Sequence, residues 1–215
     1  MARKPARKQV NTYASSKFDF RAVFRAISRA EKKSIELPPR NVAEVLLHGG
    51  AINQADRHGR TPIHVASHYG HKDVVKLLLD KGAESNQAAV DGWTPLHEAS
   101  REGHKDVVQL LLDRGAEPNQ ADVNGWTPLH VAAEHGHKDV LQLLLNRGAN
   151  PNQAMPNGWA PLHLAAHYGH KDVVQVLLIR GANPNNVTLD GDNPLSIALH
   201  SGHTDIVSIL QGGGA

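Results

Sequence analysis

Cysteine is absent from the 215 residues. That removes a disulfide framework and any thiolate metal or redox centre, and it fits a reducing compartment. No apolar run approaches the ~18 residues that a membrane-spanning helix needs. The start, Met1-Ala2-Arg3-Lys4, lacks the apolar core of a secretory signal. Aromatic side chains are scarce, with three each of Trp, Tyr and Phe. There is no Walker loop, no dinucleotide fingerprint and no nucleophile in a recognised elbow. The chain therefore reads as a non-enzyme, with no catalytic residue, no cofactor and no metal.

The formal net charge of +2 conceals an asymmetry. Residues 1–40 carry 11 Lys/Arg against 3 Asp/Glu, a balance of +8, whereas residues 41–215 carry 12 against 18, a balance of −6. A basic leader precedes a mildly acidic remainder, so the whole-chain charge says little about any one surface.

What the chain has in abundance is repetition. A shift of 33 residues superposes Gly59, Gly92, Gly125, Gly158 and Gly191, and likewise Pro62, Pro95, Pro128, Pro161 and Pro194. The pairs Gly70-His71, Gly103-His104, Gly136-His137, Gly169-His170 and Gly202-His203 recur as strictly, each followed by Asp73, Asp106, Asp139, Asp172 or Asp205. Such a tandem array stacks units that touch only their neighbours. Thr-Pro-Leu-His opening a short helix, Gly-His between two helices and Gly-Ala after the second resemble the ankyrin repeat. The fold this resemblance implies is an all-α ankyrin-repeat solenoid, helix-turn-helix units joined by β-hairpin loops, with about six repeats and divergent terminal caps.

The expected organisation is a basic disordered arm over residues 1–17, then a basic amphipathic helix and divergent N-terminal capping repeat over 18–55. Four full repeats follow at 56–88, 89–121, 122–154 and 155–187, and a C-terminal capping repeat with a Gly-rich end occupies 188–215. In the leader, Phe20, Val23, Phe24 and Ile27 share one helical face while Arg21, Arg25, Arg29 and Lys32 line another. Four readings of this leader stand side by side: a solvated arm plus capping helix, a nuclear-import signal around Arg3 to Lys8, a mitochondrial-type presequence, and a contact with nucleic acid or an anionic membrane.

The recurring residues have local duties. Asp91-Gly92, Asn124-Gly125, Asn157-Gly158 and Asp190-Gly191 are turn formers that tolerate positive φ. Thr61, Thr94 and Thr127 are placed to cap the first helix, with Pro at the position that needs no amide donor. Ala160 departs from that pattern. Gly82, Gly115, Gly148 and Gly181 suit the left-handed end of the second helix.

The 15 His residues invite a metal hypothesis. Spacings of three, as in His68/His71, His167/His170 and His200/His203, are interrupted by a Gly between the helices. His130 to His135 misses H-x-x-E-H by one residue, and His97-Glu98 lacks the second His of H-E-x-x-H. In ankyrin-like chains the tetrad His (His64, His97, His130 and His163 here) joins adjacent repeats by hydrogen bonds to backbone, so its recurrence implies scaffold. Asn53, Asn86, Asn119, Asn152 and Asn185, after each Gly-Ala loop, match the position hydroxylated in many ankyrin proteins, where the first role of Asn is to hold the loop.

Departures from the repeat carry the functional information. Immediately after the turn Gly stand Arg60, Trp93, Trp126, Trp159 and Asp192, so all three Trp residues share one repeat position. In ankyrin-like arrays this position lies on the hairpin side of the concave groove where partners dock. With helices packed about 10 Å apart, the three rings would make a stripe roughly 20 Å long, and Trp is the residue most enriched at binding hot spots. The competing reading is that the rings pack on each other and on neighbouring turns and merely stiffen the array.

A second variable set closes the first helix: His68-Tyr69, Arg101-Glu102, Glu134-His135 and His167-Tyr168 resemble the family's other groove-facing positions. Glu98 stands where Val65, Val131, Leu164 and Ile197 stand elsewhere, so it is either ion-paired to Arg101 or faces a partner. The partner-binding candidates are thus Arg60, His68, Tyr69, Trp93, Glu98, Arg101, Glu102, Trp126, Glu134, His135, Trp159, His167 and Tyr168.

The resulting expectation is a monomeric, intracellular scaffold, cytoplasmic or nuclear, that binds a protein partner through the concave groove. One alternative is a nuclear or DNA-associated regulator, with nucleic-acid contact confined to residues 1–33. The other is a secreted bacterial effector or an engineered binding protein.

Overall fold

A computed structural model describes residues 52–212. The arm over 1–17 and nearly all of the capping repeat over 18–55 lie outside the described residues, apart from Ile52 to Ala55. Ten helices follow in five pairs: α1 Pro62–His68 and α2 Lys72–Asp80; α3 Pro95–Arg101 and α4 Lys105–Asp113; α5 Pro128–Glu134 and α6 Lys138–Asn146; α7 Pro161–Tyr168 and α8 Lys171–Ile179; α9 Pro194–His200 and α10 Thr204–Gln211. Each first helix packs on the first helix of the next pair, and each second helix on the next second helix.

Periodicity explains the layers. In α4 the buried residues are Val107, Val108 and Leu111, while Lys105, Asp106 and Asp113 face water. The first helices are shorter and buried on more sides: in α5 every residue from Pro128 to Ala133 is buried. Ala132, Ala133, Ala165 and Ala166 are fully covered, and small side chains there let the helices approach closely. Burial of each Leu in this stack stabilises by roughly 1.5–3 kcal/mol.

The turns between pairs contain no strand among the described residues. Each closes through its own backbone instead: Ala89 N–H donates to the Trp93 carbonyl at 2.7 Å and Gly92 N–H to the Ala89 carbonyl at 3.0 Å. Positive φ falls on the turn Gly, 89° at Gly92, and the preceding Asp or Asn contributes through its side chain. Asp91 Oδ1 accepts the Trp93 N–H at 3.1 Å and Asn157 Oδ1 the Trp159 N–H at 3.2 Å. Successive turns are also tied together, as Val90 N–H donates to the His58 carbonyl and Val123 N–H to the Asp91 carbonyl. Pro156 occupies the corresponding place in the fourth turn and has no N–H to give.

Two histidine ladders and one asparagine ladder hold neighbouring units. The tetrad His reaches forward: Nε2 of His64, His97 and His130 donates to the carbonyls of Trp93, Trp126 and Trp159 at 3.1, 3.0 and 3.3 Å. The Gly-His residue reaches back: Nε2 of His104, His137 and His170 donates to the carbonyls of His68, Arg101 and Glu134 at 2.9, 2.8 and 2.7 Å. On the loops, Asn86 Nδ2 donates to the Gly115 carbonyl while its Oδ1 accepts the Glu117 N–H, both at 2.8 Å. Asn119 and Asn152 repeat the arrangement.

Capping follows the expectation in part. The Thr94 and Thr127 hydroxyls accept the N–H of His97 and His130 at a long 3.4 Å and lie 2.8 and 2.7 Å from the imidazole Nδ1. Asn193 caps α9 by accepting the Ser196 N–H at 2.8 Å, a cap that the missing Thr had concealed. Ala160 has the same extended backbone, φ −107° and ψ 167°, and no side-chain cap. Ala160→Thr should therefore stabilise the protein by about 0.5–2 kcal/mol, read as a raised urea midpoint. An unchanged or lowered midpoint would show that the added methyl does not fit at a residue only 2% exposed.

Candidate functional site

The turn that precedes each first helix fixes the residue after its Gly, and the last turn of that helix fixes the variable pair. Between the first two units these positions surround an open cleft of about 570 Å³. Arg60, His68, Tyr69, Trp93, Glu98 and Arg101, all selected from sequence, line it, together with His58 and Asp91, which were not.

Trp93 is one of the lining residues. Its indole N–H donates to Asp122 Oδ2 at 3.0 Å, and the Arg101 guanidinium lies 5.2 Å from the ring centroid, within cation–π range. Arg60 is held by Asp56, with Nε and Nη2 at 3.1 and 3.0 Å from Oδ2. Those contacts and two backbone N–H donors keep the Asp56 carboxyl below its ordinary range although burial pushes it up.

Glu98 lines the cleft together with Asp91, and its side chain is 12% exposed. Burial pushes its carboxyl above the ordinary carboxylate range, against the opposing pull of Arg101 and His68. His68 Nδ1 lies 3.2 Å from Glu98 Oε2 and also 3.2 Å from Arg101 Nη2. Arginine nitrogen only donates, so this one ring nitrogen cannot both donate to Glu98 and accept from Arg101. Arg101 also sits 3.5 Å from Glu98 and donates through Nε to Glu102 at 2.8 Å. Sequence reasoning offered an ion pair or a partner-facing charge, and the arrangement contains the ion pair while leaving Glu98 on the cleft wall.

Glu134, His135, Trp159, His167 and Tyr168 form a second group. Tyr168 O–H donates to Glu134 Oε1 at 3.1 Å, His135 Nδ1 lies 3.5 Å from Glu134 Oε2, and Trp159 meets the His167 ring edge-on at 5.7 Å. Trp126 stands between the groups, half-buried and packed on the core. Each Trp ring lies near the tetrad His of its own unit: Trp93 is 5.5 Å from His97, Trp126 6.3 Å from His130 and Trp159 6.1 Å from His163. The rings are therefore part of the scaffold wall as well as its surface.

The hydroxyls of Ser67 and Ser100 are fully buried and without a hydrogen-bond partner. The Arg101 guanidinium contacts His68, Glu98 and Glu102, and Arg60 adds positive charge near Glu98. Among the described residues no helix is long and apolar enough to cross a membrane.

One surface escaped the sequence reading. Val90, Val123 and Leu189, at the tips of the turns, are 75, 69 and 80% exposed. Their spacing in the repeat, with Pro156 as the fourth member, was the available signal. Large aliphatic side chains at a turn tip have no packing reason there.

A family model described as ankyrin repeats in three copies matches residues 35–122, 119–188 and 149–214. No curated protein sequence matches the chain.

Proposed function

Because the chain belongs to the ankyrin-repeat family, we propose that it is a non-enzymatic scaffold that grips a protein partner in its concave groove, along the turns and first helices. Ankyrin repeats are generally protein–protein interaction modules, and proteins built from them are typically non-enzymatic. The observation that carries the reading is the cleft of about 570 Å³, lined by Trp93 together with side chains that vary between units. Variable residues on an invariant frame are what a recognition surface requires. The groove runs on through Trp126 and the Trp159, His167 and Tyr168 group, and the protein works as an intracellular monomer.

The test is affinity capture with the intact chain and with a Trp93→Ala, Trp126→Ala, Trp159→Ala variant of unchanged helicity. Loss of the principal partner is expected, since hot-spot Trp residues each contribute about 2 kcal/mol or more. An identical bound set from both proteins would contradict the groove reading. A partner retained by the triple variant and lost when residues 1–33 are neutralised would favour the regulator whose basic leader makes the contact.

A further inference from the structure

The charge of the described residues is unevenly placed. The turns and first helices hold 3 Arg against 8 Asp or Glu, whereas the second helices and their following loops hold 9 Lys or Arg against 9 Asp or Glu. The entire negative excess of five therefore lies on the side that carries the cleft. A surface of one sign selects partners of the other and speeds their encounter.

Inside the cleft, two Arg and two acids line the wall, with Asp56 and Glu102 just behind it. Each Arg already has its own carboxylate, Asp56 for Arg60 and Glu102 for Arg101. Glu98 and Asp91 are additional acids on the lining. Glu98 is reached at 3.2 Å by a His68 nitrogen that Arg101 also claims, and at 3.5 Å by Arg101 itself. Because that ring nitrogen cannot both accept from Arg101 and donate to Glu98, these contacts compete. The Trp93 face already seats a guanidinium at 5.2 Å, so its position and electron-rich surface suit a cation. Tyr69 also lines the same cleft.

We propose that this cleft receives a Lys or Arg side chain from a basic segment of the partner protein, with Glu98 as counter-charge and Trp93 and Tyr69 as walls. The incoming cation takes the Trp93 face and Arg101 withdraws toward Glu102, its 2.8 Å partner. The inference rests on the groove reading above and adds the chemistry of what the groove selects. Among the other first helices the same position is Val65, Val131, Leu164 or Ile197, so the seat is specific to one inter-unit cleft.

The test is fluorescence anisotropy of the full chain with two short labelled peptides of equal length. In one, Lys and Arg alternate with Gly and Ser; in the other, Glu replaces each Lys and Arg. Preference for the basic peptide is expected, and Glu98→Gln should weaken it about tenfold. Glu98→Val, which restores the residue type of the other units and so preserves the fold, should do the same. Preference for the Glu peptide, or unchanged affinity of both Glu98 variants for the basic one, would overturn the proposal. A gain in basic-peptide affinity when Arg21, Arg25, Arg29 and Lys32 are replaced by Gln would assign the seat to the chain's own leader and overturn a separate partner. If the Glu98 variants bind unchanged while the triple Trp variant still loses its partner, only this inference fails; a triple variant that keeps its partner removes the groove reading itself.

Discussion

Lowering the pH from 7 to 5 will destabilise the array by about 4 kcal/mol through His97 and His130 alone, about 2 kcal/mol from each. Both side chains are fully buried. Each Nε2–H donates to a carbonyl of the next unit, which leaves Nδ1 as the acceptor facing a Thr N–H and hydroxyl. A second ring proton would point Nδ1–H at a backbone N–H. Burial, only partly offset by the hydrogen bond to the Trp carbonyl, accordingly pushes both groups down to about 4 from an ordinary 6.5.

The sign follows from the unfolded chain binding more protons between those values. The stabilisation is fully present above pH ~6.5 and is lost as pH falls through 6.5 toward 4. His64 and His163, also pushed down by burial, act in the same direction. Glu98 opposes them, because its raised carboxyl takes up a proton more readily in the folded state. The depressed carboxyl of Asp56 contributes only at lower pH, as it is protonated below its ordinary 3.8. Urea unfolding followed by circular dichroism at pH 7, 6 and 5 should show a falling midpoint. A midpoint unchanged across that range would mean that the tetrad rings are not held neutral in the folded state.

Gly103→Ala should cost about 2–5 kcal/mol, and Gly115→Ala only about 1–2 kcal/mol. Both glycines have positive φ, 74° and 84°, so each substitution incurs the roughly 1–2 kcal/mol of a left-handed L-residue. At Gly115 nothing lies within 4 Å of an added Cβ, whereas at Gly103 it would meet His137 Nδ1 at 2.6 Å. His137 would have to leave, and with it the 2.8 Å bond to the Arg101 carbonyl. That leaves a partly buried acceptor unpaired, a further penalty of about 1–3 kcal/mol. Denaturant titration of the two variants side by side isolates the second contribution. Equal losses would show that the Gly-His ladder carries no stability.

The fold was legible because each recurring residue has a local cause. Pro62 and its equivalents start helices, Gly82 and its equivalents end them, and the spacing of Val74, Val75 and Leu78 gives a buried face. What the pattern could not show was direction. The recurrence of His104, His137 and His170 marked them as scaffold, yet only the structure shows that they reach back to the previous first helix while the tetrad His reaches forward. The cap at Asn193 was hidden because Asn and Thr serve the same backbone need with different side chains.

The cleft was legible in its residues and not in its network. Arg60, Trp93, Glu98 and Arg101 were selected because they break the repeat. Spacing alone assigned Glu98 to Arg101, three residues on in its own helix, but His68 comes from the neighbouring unit, and contacts between units have no signal within one helix. Asp122, the partner of the Trp93 indole, was missed for the same reason.

Hydrogen–deuterium exchange of the captured complex tests the central claim most directly, since it reads which backbone segments a partner covers. The account predicts added protection on the turns and first helices, strongest over 89–102 and continuing through 122–135 and 155–168, with the second helices unchanged. Protection confined to residues 1–33, or to the second helices from Lys105–Asp113 to Lys171–Ile179, would contradict it.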